Sequence, residues 1–128
     1  MIIKIPISLG ELIDKISILR IKKKNINNIK KRNLINKELI ILDKHLKIVV
    51  DANNDLKKYL NRLIIINNKL WGIEDKLREY ERQKIFDQKF IKLARSVYLT
   101  NDERSKIKFE INKKFGSEII EIKSYKKY

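Results

Sequence analysis

The 128-residue chain contains no cysteine and a single histidine, His45. The lack of cysteine excludes disulfides, a thiolate nucleophile and a cysteine zinc site. One histidine likewise excludes a multi-histidine metal centre built within one chain. A sequence of this kind fits a reducing compartment.

Long apolar runs are also missing. No stretch approaches the roughly 20 apolar residues that a membrane span requires. The opening MIIKIPISLGELI is interrupted by lysine, proline and glutamate, so it lacks the apolar core of a signal peptide. We therefore expect a soluble, cytoplasmic protein that does not interact with membranes. Its length predicts one domain over residues 1–128.

Acidic residues are scarce relative to basic ones, and the net charge is +15. Ile, Lys and Asn make up 61 of the 128 residues, so part of the lysine excess reflects the composition expected from AT-rich codons. Residues 20–32 nevertheless hold seven basic residues and no acid. Such a segment could follow phosphates, although it contains no aromatic residue to stack on bases. The alternative is a solvated helix end and loop.

Apolar residues recur at helical spacing along most of the chain. Ser8 and Glu11 have the spacing of a capping box, which predicts a first helix beginning at Leu9. Further helices are predicted over residues 34–50 and 56–82, with DANND as the turn between them, and His45 is expected on an exposed side. The positions expected to face inward are Leu9, Leu12, Ile13, Ile16 and Leu19 in the first helix and Leu34, Ile35, Leu39, Leu42, Leu46 and Val49 in the second.

Two more cap signals follow the third helix. Asp87 is predicted to cap a helix with Phe90, Leu93, Ala94 and Val97 inward. Thr100, with a glutamate three residues on, is predicted to cap a fifth helix that ends at Gly116. Two capped helices in succession predict a sharp corner at residues 99–102.

The two ends of the chain have a different pattern. Residues 1–7 and residues 117–128, which include EIIEIKSY, alternate weakly like extended segments, and we expect them to pair with each other. The predicted fold is all-α, a single mostly antiparallel bundle of four or five helices with a short β pairing of the two termini.

Polar residues occupy defined helical positions between residues 70 and 112. A heptad-like apolar stripe runs through Leu63 and Leu70, and glutamates then take its next positions at Glu74 and Glu81. Charges that face a helical core require partners. Cations available in the same stretch are Arg78, Arg95 and Arg104.

These polar residues predict a ligand-binding pocket. Glu74, Arg78 and Glu81 line one face of the third helix, with Trp71 and Asp75 close by. If this face meets the polar face of the next helix, the pocket would suit a phosphorylated or polyhydroxylated ligand. The candidate ligand-binding residues are Glu11, Asp14, Lys15, Trp71, Glu74, Asp75, Arg78, Glu81, Arg95, Tyr98, Asn101, Asp102, Arg104, Lys108 and Asn112.

Other interpretations use the same residues. They could form an inter-helix network of ion pairs that fixes register, and Glu11 with Lys15 has the spacing of a surface pair. Alternatively, Glu74, Asp75 and Glu81 could hold Mg²⁺ through carboxylate oxygens. The acids do not form the ExxE and ExxD boxes of all-α pyrophosphohydrolases. The residues complete no catalytic motif, so no reaction is predicted.

The sequence resembles an uncharacterised bacterial and viral family that carries the domain-of-unknown-function label 6165. Its members contain GELIDKITIL, LWDIEDxIRxxE, FDxxFIxLARSVYxxNDxRAxIKRxIN and GSxxxEEKSY, which match residues 10–19, 70–81, 86–112 and 116–125. The resemblance implies an association with glycosyltransferases and surface-polysaccharide synthesis. The chain departs from the pattern at Ser17, Gly72, Ser105, Phe109 and Ile122.

Three classes of function follow. The leading hypothesis is an accessory or binding domain of surface-glycan biosynthesis, with a polar pocket for an anionic sugar or nucleotide-sugar group. The first alternative is a nucleic-acid-binding protein that uses residues 20–32. The second is a structural module that dimerises through residues 63–66, where the chain is apolar on more than one face.

Overall fold

The computed structural model describes residues 1–49 and 54–128, and these ranges contain four helices and no strand. The helices are α1 (Leu9–Asn25), α2 (Ile29–Val49), α3 (Asn54–Gln83) and α4 (Gln88–Lys114). The all-α prediction is therefore confirmed. None of the helices in these ranges is long and apolar enough to span a membrane. The turn predicted at DANND falls largely outside the described residues.

Three helices pack against one another, and α2 packs on α1. The direction of α4 follows from its ion pairs with α3, which join Lys114 to Asp55 at 3.1 Å and Glu110 to Arg62 at 2.7 Å. Residue numbers rise along one helix as they fall along the other, so α3 and α4 are antiparallel. The apolar side chains completely removed from solvent between these helices are Ile13, Ile16, Leu63 and Ile111.

Three helix ends lie where the sequence predicts them. The Ser8 hydroxyl accepts a hydrogen bond from the Glu11 N–H at 3.1 Å, and the Asp87 carboxylate accepts one from the Phe90 N–H at 3.0 Å. At the end of α4, Gly116 has φ of +65°. The Gly116 and Ser117 N–H groups donate to carbonyls of the last helical turn, which is the Schellman arrangement that favours glycine.

The corner predicted at residues 99–102 is wrong, because α4 is continuous from Gln88 to Lys114. Thr100 lies in its interior and is only 1% exposed. No glycine or proline interrupts this helix, and its continuation keeps the main-chain hydrogen bonds while burying Thr100. Burial of Thr100 in the tertiary structure therefore outweighs the local capping signal.

The predicted start of α2 is five residues late. The Asn28 side chain accepts a hydrogen bond from the Lys31 N–H at 3.0 Å, so the helix begins at Ile29. Ile35 and Leu39 are buried as expected, whereas Leu34 is 69% exposed and does not face inward. Leu42 and Leu46 are half-buried, His45 is exposed as predicted, and the Val49 side chain lies outside the described residues.

The predicted β pairing of the termini is wrong for the residues that the structure describes. Residues 1–7 form neither helix nor strand and are exposed. The C-terminal segment, residues 117–128, which we call the tail, returns along α4 instead, where Glu121 contacts Lys108 at 3.1 Å. Tyr128 packs edge-on against Tyr98 with ring centroids 5.5 Å apart. Side-chain contacts, not a strand ladder, hold the tail.

The run at residues 63–66 has a mixed environment. Leu63 is completely buried in the core, Ile64 and Ile66 are half-buried, and Ile65 is 66% exposed. Leu63 therefore stabilises the monomer and is not available to a dimer. Dimerisation through the rest of this face remains a prediction.

Gly10 sets the approach of α1 to α4. A Cβ atom at Gly10 would lie 2.6 Å from the Lys108 carbonyl oxygen and 2.9 Å from Asn112 Oδ1. The Gly10 N–H donates to the same Asn112 oxygen at 2.7 Å. The two helices thus touch where only glycine fits.

We predict that Gly10→Ala destabilises the protein by about 1–3 kcal/mol, since α4 must shift to admit a methyl group. The matched control is Gly72→Ala, where a Cβ would meet no atom within 4 Å. In the control, the higher helix propensity of alanine should stabilise the protein by about 0.5–1 kcal/mol. Urea unfolding followed by circular dichroism measures both changes, and stabilisation by Gly10→Ala would contradict the close approach.

Candidate ligand-binding site

The most deeply buried acid of the candidate set is Asp14 on α1, which is 1% exposed. Its Oδ1 accepts hydrogen bonds from Asn67 Nδ2 at 2.9 Å and from Arg104 Nε at 3.0 Å. Its Oδ2 forms an ion pair with the Arg104 guanidinium, and Lys108 Nζ lies 3.8 Å away. Side chains from α1, α3 and α4 therefore meet at one carboxylate.

The remaining polar atoms at this point are also satisfied. Asn67 Nδ2 donates to Ser17 Oγ at 2.7 Å, and Ser17 Oγ donates to the Asp14 carbonyl oxygen at 2.7 Å. Within residues 1–49 and 54–128, no buried side-chain nitrogen or oxygen lacks a hydrogen-bond partner. Asn67 was absent from the predicted site, although an asparagine on an apolar stripe is a signal of a buried polar contact.

The cations beside Asp14 are stabilised in their charged forms. The hydrogen bonds that Arg104 donates to Asp14 raise the pKa of Arg104, although partial burial acts against this shift. For Lys108, burial lowers the pKa, but hydrogen bonds to Glu11 and Glu121 together with the negative charge of Asp14 outweigh it, and the pKa is raised. Lys108 Nζ contacts Glu11 at 2.7 Å.

A cavity of about 700 Å³ lies between α4, the start of α1 and the tail. Three tyrosines contribute to its wall, one from α4 and two from the tail. Its charged groups are three acids and three cations, so they balance. The lining residues are Glu11, Val97, Tyr98, Asn101, Asp102, Arg104, Ser105, Lys108, Glu121, Lys123, Tyr125 and Tyr128.

A second cavity, of about 360 Å³, lies where α1 meets the middle of α3. It contains Trp71, the single tryptophan of the chain. Three cations and two acids line it. Its lining residues are Ile18, Ile21, Lys22, Asn67, Leu70, Trp71, Glu74, Asp75, Arg78, Asn101 and Arg104.

Asn101 and Arg104 belong to the walls of both cavities. Arg104 is held by Asp14, whereas the half-buried Asn101 side chain makes no hydrogen bond with any residue that the structure describes. Its amide group is therefore free to bind a ligand from either side.

Ten of the fifteen predicted residues line at least one of these two cavities. They are Glu11, Trp71, Glu74, Asp75, Arg78, Tyr98, Asn101, Asp102, Arg104 and Lys108. Asp14 supports the set from behind. Asn112 is buried against Gly10 instead of lining either cavity.

Three predicted residues lie elsewhere. Lys15 pairs with Glu38 of α2 at 3.3 Å, so the predicted pair with Glu11 does not form. Arg95 donates to the Tyr98 hydroxyl at 3.3 Å, outside both cavities. The third, Glu81, forms an ion pair at 2.9 Å with Lys84, which directly follows α3.

Glu74 and Glu81 do not face a core, contrary to the stripe prediction, because both are exposed. Ile73 is buried in their place. From residue 74 to residue 99 no side chain is buried. The described ranges contain no group of three or more acidic or histidine side chains that could hold a metal ion.

The tail supplies cavity residues that the sequence did not reveal, because its contacts with α4 depend on the fold. The Tyr128 hydroxyl donates to the Asp102 carboxylate, and this hydrogen bond raises the pKa of Tyr128. The bond requires the protonated phenol. It is therefore fully present below the ordinary pKa of tyrosine and is lost only as the pH rises through the raised value.

The fold and site together define a small helical protein with two adjoining polar cavities. Residues 3–128 match the model of the protein family DUF6165, which is described as a family of unknown function. The chain belongs to this family, as the sequence motifs predicted. Neither the curated proteins nor the solved structures contain a match.

We predict that Arg104→Met destabilises the protein by about 3 kcal/mol or more, because it leaves the buried Asp14 carboxylate without its main cation. Arg78→Met is the matched control. Arg78 pairs with Glu74 at 3.1 Å, but its side chain is 66% exposed, so its loss should cost less than about 1 kcal/mol. Urea denaturation of both variants measures the difference, and equal losses would show that burial of the Asp14 pair is unimportant.

Proposed function

We propose that this protein binds a nucleotide sugar or a related anionic sugar across its two cavities, as an accessory domain of surface-glycan biosynthesis. The biosynthetic context is the one that the family resemblance implies. The ligand class rests on one observation: a tyrosine-rich cavity and a tryptophan-containing cavity share Asn101 and Arg104. A ligand with two chemically different halves fits such a pair of cavities.

The larger cavity suits the sugar. Its charges balance, so it has no excess charge with which to attract a bare ion. The carboxylates can accept hydrogen bonds from sugar hydroxyls, and the Asn101 amide can both accept and donate them. The tyrosine rings add apolar surface with a polar tip, which suits the mixed surface of a sugar ring.

The smaller cavity suits the nucleotide. Trp71 offers a large aromatic surface for a base. Lys22 has no ion pair with any described residue, and Arg104 lies between this cavity and the larger one. A diphosphate near these cations would bridge the two halves of the ligand.

Trp71 provides a direct measurement of binding, because it is the single tryptophan. We expect UDP-glucose to change its fluorescence saturably, and UDP to do so with weaker affinity because it fills only the smaller cavity. Glucose 1-phosphate should leave the fluorescence unchanged, because the larger cavity does not include Trp71. No change with either UDP-glucose or UDP up to about 1 mM would contradict the proposal, since a ligand with a binding free energy of about 4 kcal/mol would bind at that concentration.

Asn101→Ala tests the residue shared by both cavities. It should weaken UDP-glucose binding about threefold to tenfold, the range expected for one or two hydrogen bonds, without changing the free energy of unfolding by more than about 0.5 kcal/mol. Asn68→Ala, on the exposed surface of α3 and outside both cavities, is the control. Equal affinity in the two variants would remove Asn101 from the site.

A further inference from the structure

The junction between α1 and α2 has a dense positive charge. Of the seven basic residues within residues 20–32, Arg20 pairs with Asp43 at 3.6 Å. The other six have no ion pair with any residue in the described ranges. We call these six the basic corner: Lys22, Lys23, Lys24, Lys30, Lys31 and Arg32.

Composition alone does not account for the basic corner. A bias towards lysine adds cations, but it does not remove acids, and residues 70–112 contain eight acids beside ten cations. Half of the corner is unfavourable for its own helix. Lys30, Lys31 and Arg32 occupy the first turn of α2, which contains no acid, and cations are unfavourable at this end of a helix. The three lysines in the last turn of α1 are favourable for that helix, but they add to the positive charge beside the start of α2. An anion bound there would offset this repulsion.

We propose that the basic corner binds the phosphate backbone of a nucleic-acid duplex. Five of its six side chains are exposed, and exposed asparagines at positions 25, 27, 28 and 33 add uncharged donors to the same surface. Residues 20–32 contain no aromatic side chain, so unpaired bases would have nothing to stack on. Cations and amides without aromatics match phosphate contacts, which are independent of sequence. The corner shares only Lys22 with the smaller cavity, and its other five cations line neither cavity, so either proposal can fail alone.

Fluorescence anisotropy with a labelled DNA duplex of about 20 base pairs tests the proposal. Counterion release from about six phosphate contacts predicts that affinity falls roughly 1,000-fold between about 50 mM and 200 mM salt. Two unrelated duplex sequences should bind equally. No duplex binding at about 50 mM salt would overturn the proposal.

A pair of charge-matched variants separates a local surface from net charge. In the corner variant the six cations become glutamine. In the control variant six other exposed lysines, which form no ion pair with any described residue, become glutamine: Lys44, Lys47, Lys57, Lys69, Lys89 and Lys92. Circular dichroism establishes that both are folded.

The corner variant should lose at least about tenfold in duplex affinity at low salt, whereas the control variant should stay within about twofold. Equal losses would mean that net charge alone drives binding and would overturn the proposal. Vesicles containing phosphatidylserine form the second arm, since an anionic membrane surface also attracts lysines. Binding to these vesicles and not to the duplex would overturn the assignment to nucleic acid.

Discussion

The ion pair between Asp14 and Arg104 is the interaction on which the rest of the structure depends. It joins the first helix to the last, and Asn67 brings the third helix to the same carboxylate. A charge buried this deeply is tolerated only when its oxygens are fully hydrogen-bonded. The close approach of α1 and α4 at Gly10 makes that geometry accessible, because any larger residue would separate the two helices.

The same pair connects stability to the site. Arg104 forms part of both cavity walls while its guanidinium is fixed by Asp14, so a ligand bound as proposed would meet a cation that is already oriented. Lys108 is held in the same way by Glu11 and by Glu121 of the tail. Preorganised groups lose little entropy on binding. By contrast, beyond Ser117 the tail makes no main-chain hydrogen bond to α4 among the described residues, and side-chain contacts hold it in place.

Much of the fold could be predicted from local signals, and the centre of the site could not. Ser8 and Gly116 mark helix ends because their chemistry is local. Thr100 carries a similar local signal, but tertiary burial decides its structure. Ten of the fifteen residues in the predicted site line a cavity, yet the prediction assigned buried charge to α3. The buried pair joins Asp14 to Arg104, which are 90 residues apart in the sequence. Residue spacing along one helix cannot predict a contact between residues on two different helices.

A double-mutant cycle on this pair measures the central claim most directly. Asp14→Asn and Arg104→Gln, singly and together, remove each charge while keeping the side chains close to their original size. If the pair organises the junction of three helices, the effects on the free energy of unfolding will be strongly non-additive, with a coupling of about 2–3 kcal/mol. Effects that add to within about 0.5 kcal/mol would show that the two charges act independently and would contradict the account.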